Sequence, residues 1–276
     1  MPYIKEVCRA GKILEVRKYH TIRYNMPLEK RRSRTKVSSE SQKRTNEREA
    51  IRRLSRKMNA NFSDETGMLV TLTYLPVNRP DNSKQMSSDI KYFLKELRKI
   101  FKAREDELKF IYVKELGKRG AAHIHILMSM CDIRDIRKCW KKGGVNVKPL
   151  YTDGDYSGIA SYFIKYAART EETEGKLIGK RWNCSRNLKE PIIIKQVVQA
   201  NTFNMRIPEK EGYILDPNSI QSGYTELGFR YYSYKMKRIA PEQQTEPQDG
   251  SRRPPGSSRR TIKKPLNKLQ LIKGQR

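Results

Sequence analysis

The stretch from residue 109 to residue 128, KFIYVKELGKRGAAHIHILM, limits the fold more than any other part of the chain. It covers one run of strand-forming residues, 109–116, and all but the last residue of another, 121–129, separated only by the GKRG of Gly117 to Gly120. Strands so close in sequence pair as an antiparallel hairpin, because a parallel return needs a crossover of a dozen or more residues. A sheet is therefore built around this pair.

The same stretch carries His123 and His125, two of only three histidines in the chain. Residues i and i+2 of a strand share a face, so the two imidazoles project together while Ile124 packs on the other side. Such a pair either binds a divalent metal or lies as polar side chains on a wet face. Glu115 on the partner strand joins the pair only if it sits directly opposite His123. A loop of Gly117 to Gly120 would set it opposite Ala122 and turn it away, whereas one residue fewer or more sets it opposite His123. The expectation is an odd connection, most simply Gly117 to Ala121, or a bulge at the glycines.

Around the hairpin the pattern of elements is legible. Residues 3–24 alternate loosely about Gly11 and read as a second hairpin, with His20 as a surface or packing residue. Residues 28–58 combine a basic loop with a helix from about Ser39, read as a solvated helix or as an arm that contacts phosphates. GMLVTLTY (67–74) is a buried strand, and SSDIKYFLKELRKIFKA (87–103) is an amphipathic helix behind a serine cap. A helix near 132–140, a strand near 144–149 and a helix near 157–169 follow. The order predicts an α+β fold: an antiparallel sheet with helices packed on it, on one face. PIIIKQVV (191–198) is strand-like, and GYTELGFRYYSYKMKRI (223–239) reads as one further strand. The boundaries that follow are 1–60 for a basic hairpin and helix extension, 61–190 for the central domain, 191–239 for a strand-rich extension and 240–276 for a disordered basic tail.

The helix near 157–169 has its own logic. Ile159, Ala160, Phe163, Ile164 and Ala167 make an apolar face, with Tyr162, Lys165 and Tyr166 on its shoulder and beyond. Tyr166 lies nearer the apolar face than Tyr162. Both rings are either shoulder packing with wet hydroxyls or groups available for chemistry.

Charge narrows the partner. The chain has 59 Lys+Arg against 30 Asp+Glu, a formal +29, which suits an anionic polymer and above all nucleic acid. No apolar run approaches a membrane span and the N-terminus has no secretory signal pattern, so a cytoplasmic protein is expected. Cys8, Cys131, Cys139 and Cys184 show no CxxC spacing, so packed, reduced thiols are expected.

Three ordered motifs together resemble the HUH endonuclease family, in particular the rolling-circle replication-associated proteins of phages and plasmids, including the filamentous-phage gene II type. LVTLTY (69–74) resembles the first strand motif, HIH (123–125) the HUH motif itself and YFIKY (162–166) the Tyr-x-x-Lys motif. GKRWNCSRNL (179–188) resembles a downstream stretch to which no chemistry is assigned. The resemblance implies an antiparallel-sheet, ferredoxin/RRM-like HUH domain with Mg²⁺ or Mn²⁺ held by His123, His125 and Glu115. Glu115 is carried over from members with an acid on the strand before HUH. It further implies Tyr162 as the nucleophile on single-stranded DNA at a replication origin, and Lys165 as a phosphate-stabilising cation. Tyr166 is a second nucleophile or a packed ring, and a host helicase is a further candidate partner. The alternatives are an HUH transposase or relaxase, or a non-catalytic protein that binds single-stranded nucleic acid.

Overall fold

The structure, a computed structural model, describes residues 1–21, 40–116, 121–174, 181–225 and 228–239. The basic loop at 28–38, the Gly117–Gly120 loop, the first residues of the 179–188 stretch and the tail from Ala240 lie outside the described residues. Among the described residues, two antiparallel five-stranded sheets and four α-helices make an α+β architecture.

The first sheet contains β3 (Gly67–Thr73), β4 (Phe110–Leu116), β5 (Ala122–Ser129), β6 (Val145–Pro149) and the short β7 (Asn183–Cys184), in the order β6-β3-β5-β4-β7. Its helices are α1 (Glu40–Asn59), α2 (Ser83–Ala103), α3 (Ile133–Cys139) and α4 (Ser157–Glu174). Strand alternation sorts the core into two layers. Val70, Leu72, Ile124 and Ile126 pack with Phe93 and Leu97 of α2 and Ile136 of α3. Ile111, Val113 and Leu127 point the other way, against Leu54 and Met58 of α1 and Phe163 and Ile164 of α4. Helices thus cover both faces rather than one, because the central strands carry apolar residues at odd and even positions alike. α2 also begins earlier than Ser87. Asn82 is its cap, accepting from the Gln85 N–H at 3.0 Å, while the Gln85 side chain accepts from the Asp81 N–H.

The second sheet joins distant parts of the chain. β1 (Tyr3–Ala10) and β2 (Ile13–His20) form a hairpin flanked by β8 (Ile192–Val198), β9 (Tyr213–Tyr224) and β10 (Arg230–Arg238), in the order β8-β1-β2-β10-β9. Gly11, at the hairpin turn, has φ +56, and a Cβ there would fall 2.1 Å from the Asn59 carbonyl oxygen. Where 223–239 reads as one strand in the sequence, the structure has a hairpin with Gly228 at φ +73. β9 escapes the pattern because DPNSIQSG is turn-like in composition and the strand is mostly exposed. His20 packs, stacking on Phe203 at 5.4 Å, and its Nδ1 lies 3.2 Å from the Pro2 carbonyl. Burial pushes the Cys8 thiol up to about 11, in keeping with a packed, protonated group.

α1 ties the sheets together: its first half is exposed, as a solvated helix would be, while its last turns bury one side. Leu54 and Met58 enter the core, while buried Arg56 donates from Nε to Glu15 and from its terminal nitrogen to Glu6, each at 2.7 Å. Burial alone would raise the Glu6 carboxyl. The Arg56 hydrogen bond and the charges of Arg56, Arg17 and Lys195 outweigh it and hold the group at about 2, against an ordinary 4.5.

Because its folded value is depressed, the stability Glu6 contributes is complete above pH 4.5 and lost as pH falls toward 2. Replacing Arg56 by methionine leaves two buried carboxylates under-compensated, and urea unfolding at pH 7 should show a loss of about 3–5 kcal/mol. The same substitution should move the acid-unfolding midpoint, followed by circular dichroism, to higher pH.

Candidate metal centre and its tyrosines

The site begins with register. β4 and β5 pair Leu116 with Ala122, Glu115 with His123 and Val113 with His125, so five residues, 117–121, connect the paired ends. The odd connection brings Glu115 to the face that carries both histidines. Their ligand atoms lie within 4.8 Å of one another. Glu115 Oε2 is 3.0 Å from His125 Nε2 and 3.5 Å from His123 Nδ1.

The neighbours of the three side chains are not equivalent. The side chains of Glu115 and His125 are 9% and 6% exposed, but that of His123 is 38% exposed, so the group is walled on one side and open on the other. Thr71, opposite His125 on β3, places Oγ1 3.2 Å from His125 Nδ1. An Nδ1–H donated to that hydroxyl leaves the Nε2 lone pair facing Glu115, the tautomer a metal ligand requires. Thr73, opposite His123, turns instead to Gly144, accepting its N–H at 3.1 Å.

α4 brings the tyrosines. Its start is set by Asn59 of α1, whose side-chain oxygen accepts from the Tyr156 N–H at 2.9 Å, and by Asp64, which accepts from the Tyr156 hydroxyl and the Thr152 N–H. Its later turns are pinned by Thr170, whose hydroxyl donates to the Lys114 carbonyl at 2.9 Å and accepts from the Leu116 N–H at 3.0 Å. Among the described residues β7 pairs with β4 only at Ile111 and Tyr112, so this hydroxyl satisfies the strand edge on either side of Glu115.

Tyr166 consequently stacks on His125, with ring centroids 4.1 Å apart and planes 7° from parallel. Tyr162 meets Tyr166 edge-on at 4.1 Å and His125 at 5.9 Å. Tyr166 is 6% exposed and Tyr162 48%, so the outer ring is the one that solution reaches. Lys165 lies on the exposed side of α4, and no hydrogen bond or ion pair joins it to the three ligands among the described residues. Thr71 and Thr170 escape sequence reasoning. A threonine at an inward strand position beside HIH was a weak signal for the first, and nothing local marks the second.

Residues 67–171 match the family model described as replication-associated protein ORF2/G2P. No curated protein and no solved structure matches the chain. The matched segment spans β3 to α4 and contains Glu115, His123, His125, Tyr162, Lys165 and Tyr166. The match supports a replication-associated role of phage or plasmid type for this segment. Among the described residues, no helix is long and apolar enough to cross a membrane.

If Thr71 orients His125, Thr71→Val should weaken Mn²⁺ binding about 10–100-fold while leaving the melting temperature nearly unchanged. Titration calorimetry of the full chain reads this directly. Unaltered affinity would remove Thr71 from the metal centre.

Proposed function

We propose that the protein is a replication-initiation endonuclease that nicks single-stranded DNA at an origin through attack by a tyrosine on a phosphodiester. One observation carries this reading: two imidazoles and a carboxylate converge beside a pair of tyrosine rings, one of them exposed. Three lone-pair donors of this kind suit Mg²⁺ or Mn²⁺, the imidazoles favouring the latter. When bound, such an ion polarises a phosphate oxygen and offsets charge that builds up during displacement.

The chain's own groups do the rest. Tyr162 Oη forms the bond to phosphorus as the bond from phosphorus to the 3′ oxygen breaks. The phenolic proton passes to solvent, the departing oxygen takes up a proton as a 3′-OH, and the 5′ end stays attached as a phosphotyrosine. A free phenol ionises near ~10 and is a weak nucleophile at neutral pH, so the reaction depends on a cationic setting. Lys165, three residues after Tyr162, supplies a mobile positive charge for the phosphate or the leaving oxygen. Tyr166 holds the His125 plane by stacking, and a role as second nucleophile would require its ring to leave that stack. The free 3′-OH primes rolling-circle synthesis, for which a host helicase would open the duplex in the cytoplasm.

Alanine at His123 or His125, or chelation, should lower nicking by about 100-fold or more. Affinity for single-stranded DNA should change little, because binding rests on charge spread over the chain. Glu115→Ala should impair nicking strongly. Tyr162→Phe should remove the covalent adduct without loss of stability, and Tyr166→Phe should retain initial nicking. Mass spectrometry of trapped adducts checks the assignment, and a DNA-linked peptide modified only at Tyr166 would overturn it.

A further inference from the structure

The second sheet carries a groove that takes no part in this chemistry. It runs between α1 and the β9–β10 hairpin, has a volume of about 760 Å³ and is lined largely by polar side chains. That volume falls within the range of small-molecule sites, roughly 300–1,000 Å³. Its acids are already engaged. Glu15 is paired with Arg52 and Arg56, Asp155 with Lys235, and Asp216 accepts from the Asn218 N–H at 3.1 Å. Asn218 and Gln221, both exposed, offer amides that can donate and accept, and the exposed Arg48 stands on the α1 wall.

An aromatic surface completes the groove. Tyr231 pairs with Gly223, and a Cβ at Gly223 would meet the Tyr231 hydroxyl at 2.9 Å and its ring at 3.1 Å. The ring therefore lies across the sheet, in the space that a side chain on β9 would occupy. Tyr19 sits directly opposite Tyr231 on β2, hence on the same face, with the Arg17 guanidinium 5.0 Å from its ring centroid. A flat ring beside exposed amides, with Glu15 and Asp155 paired to cations and Asp216 left charged, suits flat heterocycles with hydrogen-bonding edges better than it suits phosphates. Bases present their faces and edges together only when unpaired.

From this juxtaposition we infer that the groove between α1 and β9–β10 is a second nucleic-acid site, binding unpaired bases of single-stranded DNA away from the metal centre. It rests on the replication reading only in taking DNA as the ligand. The experiment uses the full chain in EDTA, so that no cleavage takes part, and a labelled oligothymidylate of roughly twenty nucleotides. Tyr231→Ala should weaken binding about tenfold with little change in salt dependence, since a lost stacking contact releases no counterions. Tyr231→Phe should bind like the wild type. An Asn218→Ala, Gln221→Ala double variant, altered only at exposed positions, should also bind more weakly, which separates a binding defect from a folding defect. Photo-crosslinking with iodouracil-substituted strands should mark Tyr231 or the 218–222 segment. Wild-type affinity in both the Tyr231→Ala and the double variant, with no crosslink in these peptides, would sink the proposal. So would an equal loss for duplex DNA, which would mark a duplex-binding face. A protein that crosslinks here yet never nicks would lose the nuclease reading and keep this one.

Discussion

The pairing of Glu115 with His123 across β4 and β5 is the constraint on which the rest of the site depends. Side chains alternate with a period of two, so a slip of one residue would turn Glu115 toward α2 and leave the histidines without their acid. Nothing downstream could repair that, because Thr71, Thr170 and both tyrosines are all placed relative to these two strands. Both edges of the pair are controlled: β3 runs alongside β5 from Gly67 to Thr73, and the Thr170 hydroxyl holds β4 at Lys114 and Leu116. The same hydroxyl sets how far α4 slides along the sheet. It therefore sets which tyrosine covers His125 and which stands outside.

A second dependency runs through α1. The helix packs Leu54 and Met58 against α4, caps α4 with Asn59 and places Arg56 between Glu6 and Glu15 of the second sheet. One helix thus serves as the shared wall of two cores, with apolar contact toward one sheet and ionic contact toward the other. The ionic side contributes less to net stability than to position. Buried ion pairs roughly offset their own desolvation, but these permit few alternative placements of α1 over β1 and β2.

Much of this was legible in the residues. The β4–β5 hairpin and the shared face of His123 and His125 follow from alternation, a local rule, and the odd connection follows from loop arithmetic once Glu115 is taken to share that face. The helix wheel ranked Tyr166 as the more buried tyrosine, and the structure agrees. What could not be read was long-range. No local pattern tells that Arg56 meets Glu6, that β1 pairs with β8, or that Thr170 completes the edge of a strand more than fifty residues earlier. β9 was missed because its residues are those of turns, and only the partner strand β10 draws them into extended form.

The composition of the second sheet bears on the order in which the protein can assemble. Tyr3 pairs with Val198, so the β1–β2 hairpin waits for strands synthesised almost two hundred residues later before its sheet can close. By then every strand of the first sheet, through Cys184, has already been made. Contacts of such separation form slowly, since the loop entropy is lost before the pairing compensates for it. The first sheet is thus built on shorter-range connections that can mature earlier. The second sheet, formed from segments far apart in sequence, closes over α1 as a late, topologically expensive step.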